Sequence, residues 1–346
     1  MKKLFVLIAL VTVFTSCMNT PENKPADSNS ESKEKSAEPI KSMEKSSPET
    51  IIVKNITQNP EGIEFDANDQ TFYLSSLNAK PIIKVNLDGS YKAFTGGEKF
   101  PLSTAGIQID ANRNRLLVAG FNGMELMDKD PKTKGTAFLR IYNLKTGVIE
   151  KDINLSSLLP NANAYFANDV AVDKQGNVYI SDWYAKVIYK VNLEGEPSVF
   201  WKNNTGIPSG LNGLDFNPNG YLLASIISVN DKGLYTDYGL VKIPVNDPAS
   251  ASLVNISNAG YTGFDGMLIN SKGNVVGVTN NSTSPGGNTL VELSSNDDWK
   301  TAKVIHSKTI PASTTVAVTP NNLYYVINQD FTNNNAKDWT IEQVKF

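Results

Sequence analysis

The sequence predicts an all-β fold, a six-bladed β-propeller, and three observations carry that prediction. A short alternating phrase recurs six times: PEGIEFD (60–66), TAGIQID (104–110), ANDVAVD (167–173), LNGLDFN (211–217), FDGMLIN (264–270) and STTVAVT (313–319). Its copies begin 44 to 63 residues apart, and a repeat of that length holding several short strands is the pattern of a propeller blade. The last repeat runs out one strand short, while a spare strand stands ahead of the first.

The elements follow in chain order. TIIVKNI (50–56) precedes the first phrase and has no repeat of its own. Each phrase then leads into a second β-rich run: TFYLSSL, RLLVAGF, NVYISDW, YLLASII, NVVGVTN and NLYYVIN. Most of these junctions are Asp-, Asn- or Gly-type turns. Third runs are PIIKVNLDG, AFLRIYNLKTG, KVIYKVNLEG, YGLVKIPVND, NTLVELSSND and WTIEQVKF. Alternating apolar and polar residues over four to eight positions read as half-buried strands. Fourth strands such as SYKAFTG and PSVFWKN follow in the first five blades, whereas the sixth stops at Phe346. Pairing TIIVKNI with WTIEQVKF closes the ring and removes an exposed edge. Turns such as DANDQ and DKQGN are short and share one face. The long connections 120–136, 149–166, 228–238 and 328–338 share the other, where the inner strands begin, and a pocket is expected there.

The 346 residues carry 32 Lys or Arg against 35 Asp or Glu, for a net charge of −3. The globular part has no basic patch, which argues against nucleic acid as a partner. Residues 1–17 read as an export signal: Lys2 and Lys3, an apolar run from Leu4 to Phe14, then Thr15, Ser16 and Cys17. Cys17, the single cysteine, resembles the acylated residue of a bacterial lipoprotein, although Phe14 departs from the usual residue three positions before it. With no second cysteine there is no disulfide, and the core alone must hold the domain. Residues 18–49 are rich in Ser, Lys, Glu, Pro and Asn without an aromatic ring, the composition of a disordered stalk. The expectation is an envelope protein on the periplasmic side of an outer membrane, tied to it by lipid alone, with a monomeric propeller over 50–346.

One column of the repeat carries chemistry. The position just ahead of each alternating stretch reads Glu61, Ala105, Asn168, Asn212, Asp265 and Thr314. Inner strands of a propeller begin around one axis, so these positions converge. Two carboxylates crowded into a tunnel need a counter-charge, and a divalent cation is the simplest one. The donors at Glu61, Asn168, Asn212 and Asp265 are all oxygens, and the chain offers one histidine, His306. Hard oxygen ligands select Ca²⁺, Mg²⁺ or Mn²⁺ over softer metals, and Ca²⁺ is the expected ion. Ca²⁺ takes six to eight ligands, so four side chains leave positions for water or substrate. Two blander readings stand beside this one. The ion only pins the blades, or Glu61 and Asp265 are strand-edge residues and the two asparagines cap turns.

The runs PEG (60–62), NDVAVD (168–173), NGLDF (212–216) and FDGM (264–267), in this order and in register with the blades, resemble the gluconolactonase/senescence-marker-protein (regucalcin) family. Paraoxonases and squid-type diisopropyl fluorophosphatase are more distant relatives of that family. The resemblance implies that Glu61, Asn168, Asn212 and Asp265 are metal ligands and that Asp265 doubles as the catalytic base. The implied chemistry is hydrolysis of a cyclic ester, the cation polarising the carbonyl and a ligand carboxylate activating water. Asp169 is the second candidate base, although a backbone-bonding role suits it well. Asp182 is a further acid near the mouth. The sugar-lactone enzymes commonly place an arginine two residues before the blade-three asparagine; here stands Phe166. A pocket walled by Phe166, Phe121, Trp183 and Tyr184 suits an apolar or stacking ligand better than a sugar acid. His306 belongs to the outer strand of blade five, away from the axis. The alternative function is a non-catalytic binding propeller with a structural cation.

Overall fold

The computed structural model describes residues 47–346 apart from residues 57, 97–101, 123–134, 208, 230–234, 258–260, 280–287 and 329–337. The signal segment with Cys17, and the stalk as far as residue 46, lie outside the described residues. The rest is six sheets, antiparallel but for one short rim strand, that follow one another along the chain and are closed by its first strand.

Blade one pairs Ile63–Asp66, Thr71–Leu74, Ile83–Asn86 and Tyr91–Ala93. Blade two pairs Ser103–Asp110, Arg115–Phe121, Ala137–Asn143 and Ile149–Asn154. Blade three uses Ala167–Val172, Val178–Asp182, Val187–Val191 and Pro197–Lys202. Blade four uses Gly210–Asn217, Tyr221–Val229, Tyr235–Pro244 and the two-residue Ser252–Leu253. In blade five, Met267–Ile269, Val275–Thr279, Thr289–Ser294 and Thr301–Thr309 are joined at the rim by Asn255–Ile256, which runs parallel to the last of them.

Blade six holds Val316–Val318, Tyr324–Asn328 and Trp339–Val344, and its fourth strand is Thr50–Val53 from the far end of the domain. Six blades and the mixed closure are as the repeats predict. Residues just before the closing strand take part too: Tyr325 donates its hydroxyl to Pro48 O, and Gln343 N donates to Glu49 O. Two of the expected long connections are corrected: of 228–238, residues 228–229 and 235–238 belong to strands of blade four. Residues 149–166 are not a single long loop, because Ile149–Asn154 is the outer strand of blade two and Ser156–Leu158 forms a short 3₁₀ turn. The alternation of IEKDIN against the buried strand beside it makes a strand of what length alone suggested was loop.

Apolar side chains fill the spaces between adjoining blades. At the closure Ile51, Val53 and Ile56 pack with Phe72, Leu74, Tyr325, Trp339 and Ile341. Burying one Val or Ile contributes about 1.5–3 kcal/mol. The three residues of the closing segment therefore carry an amount comparable to the whole net stability of an ordinary domain, about 5–15 kcal/mol. Removing residues 1–46 is expected to leave the thermal transition of the propeller unchanged. Removing 1–57 should lower its midpoint by about 10 °C or more, since losing about 5 kcal/mol or more of burial shifts a large domain by about 2–4 °C per kcal/mol. Equal melting of the two truncated proteins, followed by circular dichroism, would show that the terminal strand does not hold the ring.

Candidate metal centre

The inner strands crowd the axis, and the residue that follows each column position shows how closely. That position is Gly62, Gly106, Asp169, Gly213, Gly266 and Thr315 around the ring. A Cβ on Gly62 would collide with Ala105 O, one on Gly213 with Asp265 O, and one on Gly266 with the Thr315 side chain. At Gly106 it would lie 2.6 Å from the Asp169 Cα. Only glycine lets neighbouring backbones approach so closely.

Polar bonds then stitch one blade to the next at this level. Gly213 N donates to Asp265 O at 2.8 Å, and Gly266 N to Thr314 O at 2.7 Å. Thr314 Oγ1 donates to Glu61 O at 2.8 Å, across the closure. Ser181 Oγ accepts from Asp169 N at 3.0 Å and donates to Asn212 O at 2.7 Å.

In blades two, three and four the ladder slips around the column, between Thr104 and Ile107, Ala167 and Val170, and Leu211 and Leu214. Each slip is a β-bulge that turns a side chain out of the regular alternation, a device common beside functional sites. Asn168 and Asn212 sit in two of these bulges. Glu61 and Asp265 lie two residues ahead of the short inner strands of blades one and five, with Gly62 and Gly266 between.

Glu61 and Asn168 are buried, Asn212 has no exposed surface, and Asp265 is half-buried. Asn212 Nδ2 donates to Asp265 Oδ1 at 2.9 Å. Its other amide atom, Oδ1, is buried without a hydrogen-bond partner among the described residues, a state that is rare for a buried polar group and calls for an explanation such as an ion or water. A cavity of about 20 Å³ is bordered by Glu61, Asn168, Asp169 and Thr315, room for one water-sized occupant. Burial pushes the Glu61 carboxyl well above its ordinary range, and the Asp265 and Asp169 carboxylates push it the same way.

Among the described residues no group of three or more His, Cys, Asp or Glu side chains is placed to hold a metal by itself. Any cation here would therefore lean on the asparagine carbonyls as well as the acids. The residues present fit that role: the donors are all oxygen, one is a buried carbonyl without a partner, and two carboxylates raise each other's energy. Of the other two column members, Ala105 offers no donor and Thr314 spends its hydroxyl on Glu61 O.

Asp169 is more committed than a free base would be. Its Oδ2 accepts from Leu214 N of the next blade at 2.8 Å and its Oδ1 from Val170 N at 2.9 Å. Burial still pushes its pKa up to about 7. A second polar layer lies three residues beyond the column, at Glu64, Gln108 and Asp215, and sequence reasoning passed over it. Asp215 accepts from Ile269 N at 2.6 Å and from Phe216 N at 2.7 Å, and burial raises it to about 6. Glu64, among several carboxylates, is raised to about 8, chiefly by burial. The signal was present as acidic or amide residues in PEGIEFD, TAGIQID and LNGLDFN where the other copies carry Ala or Leu.

The aromatic residues proposed as pocket walls come together from two blades. Phe166 lies with its ring centroid 4.0 Å from that of Phe121, 6.2 Å from that of Trp183 and 6.3 Å from that of Tyr184. Asp182 is fully buried behind them, and burial raises it to about 6. His306 lies on the rim of blade five, where Nδ1 is 2.7 Å from Glu292 Oε2 and the ring stacks on Phe346.

A concavity opens on the face of the short turns, opposite the column. It measures about 740 Å³ and is lined by the short turns around Asp110–Arg113, Asp173, Asn217 and Asn270, with Gln108 and Asp215 among its lining. Residues 123–134, 230–234 and 329–337, which belong to three of the long connections expected over the column, lie outside the described residues.

No family model matches the chain, and no curated protein matches it. Solved structures share its fold. A gluconolactonase from Xanthomonas campestris aligns with a TM-score of 0.53 at 13% identity, over 85% of this chain and 89% of that one. A calcium-binding regucalcin from Agrobacterium tumefaciens gives 0.53 at 17% identity, over 84% and 94%. A glucose dehydrogenase gives 0.58 at 12%, over 85% and 99%. These likenesses establish the six-bladed architecture that the repeats predicted, shared with gluconolactonase and regucalcin structures. An oxidoreductase scores as well as a lactonase, so the architecture does not select the chemistry.

The tunnel acids set a pH dependence. In the folded protein Asp215 and Glu64 keep their protons to about pH 6 and 8, whereas in the unfolded chain they release them near pH 4. Between these limits the native state binds more protons than the unfolded one, so stability falls as pH rises. Glu292 and Asp297, whose pKa values are lowered, are ionised in both states across that window. With chelator present, the melting midpoint should be lower at pH 8 than at pH 5.5. A midpoint that rises over this interval would show that these carboxylates are solvated or paired.

Proposed function

We propose that the domain is a divalent-cation-dependent hydrolase of lactones or related esters, with Ca²⁺ as its cation. The observation that carries this reading is the buried, partnerless Oδ1 of Asn212 in a ring that also holds the Asp265 and Glu61 carboxylates. Glu61, Asn168, Asn212 and Asp265 would hold the ion. When bound, it supplies Lewis-acid polarisation of an ester carbonyl.

The protein's own groups supply the rest. Asp265 is the best placed base. It is half-buried rather than sealed, and the Asn212 amide fixes one of its oxygens at 2.9 Å, orienting it to take a proton from water. Asp169 has both oxygens bound to backbone N–H groups, which suits it to keep blades three and four in register. The bulges and the interblade bonds hold these side chains without reorganisation, as a preorganised site requires.

The large bowl on the other face favours a second reading, a binding propeller whose cation is structural. In either case we place the protein on the cell envelope, anchored through Cys17.

Metal and chemistry are tested together. Chelation should lower the melting temperature and added Ca²⁺ restore it, because an ion held only by the folded state stabilises it by mass action. Asp265→Asn should weaken Ca²⁺ binding and, at saturating Ca²⁺, lower hydrolysis by about 100-fold or more, the usual contribution of a general base. A wild-type domain that binds Ca²⁺ yet hydrolyses nothing across lactones, aryl esters and phosphotriesters would leave the binding-module reading. Absence of any divalent-cation binding would remove the metal centre altogether.

A further inference from the structure

The aromatic cluster beside the column has the marks of a built surface. Its members come from separated segments: Phe121 ends the second strand of blade two, Phe166 immediately precedes the inner strand of blade three, and Trp183 and Tyr184 follow that blade's second strand. Phe166 and Trp183 lie nearly parallel, at 8°. Both keep part of their surface exposed, and Tyr184 is 52% exposed. Most large aromatic side chains that serve the interblade cores, such as Phe72, Tyr179 and Phe264, are sealed.

The cluster is also held rigidly from behind. The buried Asp182 carboxylate accepts from Phe166 N and from Ala185 N, both at 2.9 Å, and from the Tyr189 hydroxyl at 3.3 Å. Trp183 N donates to Phe166 O at 3.0 Å. The indole lies against Gly210 of blade four, where any side chain would overlap it. One buried acid and one glycine thus fix two rings that still face outward.

We infer that this platform selects the substrate: the site takes an ester or lactone bearing a planar aromatic group, which lies on Phe166 and Trp183 while its carbonyl reaches the column. The inference rests on the hydrolase reading above. Phe166 precedes Asn168 by two residues, and an extended chain rises about 3.3 Å per residue. A ring on the platform and a carbonyl at the column are therefore separated by roughly the span of one small molecule. Phe166 presents a π face and no polar atom, so a saturated polyhydroxylated ring gains little from it. A flat apolar ring gains both burial and offset stacking.

The test compares γ-phenyl-γ-butyrolactone with its γ-cyclohexyl analogue on the Ca²⁺-loaded protein. The two share the reacting lactone and differ in the flatness of the substituent. Wild type should favour the phenyl compound. Phe166→Ala and Trp183→Ala should each raise its KM about tenfold, as loss of a ring–ring contact does, with kcat little changed and the cyclohexyl KM moved less. Phe166→Tyr should retain the preference.

Binding of the corresponding non-hydrolysable γ-phenyl lactam, followed by calorimetry, provides a readout independent of turnover, and melting curves exclude misfolding. Lactam binding about tenfold weaker in Phe166→Ala supports the platform even if no lactone is hydrolysed, in which case only the hydrolase reading falls. Hydrolysis that treats the two lactones alike in wild type and variants overturns the platform and leaves the hydrolase reading standing. Equal lactam affinity in wild type and Phe166→Ala overturns it as well.

Discussion

Everything in this molecule depends on how closely the six inner strands approach one another around the axis. At the level of the column there is no room for a side chain after Glu61, Ala105, Asn212 or Asp265, and glycine follows each. Backbone N–H groups of one blade meet carbonyls of the next, as between Gly213 and Asp265 or Gly266 and Thr314. Closing the ring with Thr50–Val53 pairs the strand Trp339–Val344, which would otherwise end its sheet, and packs the start of the domain between blades one and six. Weakening the closure would loosen the ring that positions Glu61, since Thr314 of blade six bonds to the Glu61 carbonyl.

Crowding has an electrostatic consequence. The same approach that excludes side chains from the Gly positions gathers Glu61, Asp265, Asp169, Glu64 and Asp215 in a space with little water to screen them. Burial is the first cause of the raised pKa of Glu61, Glu64, Asp169 and Asp215. Two solutions coexist. Asp169 and Asp215 each spend one oxygen on an N–H group of the following blade, converting charge into interblade cohesion. Glu61 has acidic neighbours, and Asn212 beside Asp265 keeps a carbonyl without a partner. Cohesive acids and acids that would hold a cation are thus distinguished by their bonding, although both are buried.

Much of the architecture was legible because the determinants are periodic. Alternation marks each strand, and the recurrence of the phrase counts the blades. The spare TIIVKNI and the short sixth repeat together disclose the closure. The column was legible for the same reason: equivalent positions in equivalent units must meet on the axis, so Glu61, Asn168, Asn212 and Asp265 could be grouped before any coordinate was known. The layer of Glu64, Gln108 and Asp215 was equally periodic but escaped notice, because polar residues in an alternating strand pass for solvent-facing ones. The loop assigned to 149–166 failed for the opposite reason. The alternation in IEKDIN was short enough to be outweighed by segment length.

By itself the sequence determined the repeat, the number of blades, the strand that closes them and the oxygen-rich column, since each of these is a property of local pattern and its recurrence. Only the tertiary structure decided what pattern cannot encode. It showed that Asn212 turns its amide nitrogen to Asp265 and leaves its oxygen bare, and that both oxygens of Asp169 are engaged. It showed that four aromatic residues from separate segments form one surface braced by Asp182. It also placed the wider bowl on the face of the short turns. These are facts about which atoms of distant residues come within reach of each other, and such distances are set by the packing of whole blades rather than by any stretch of chain.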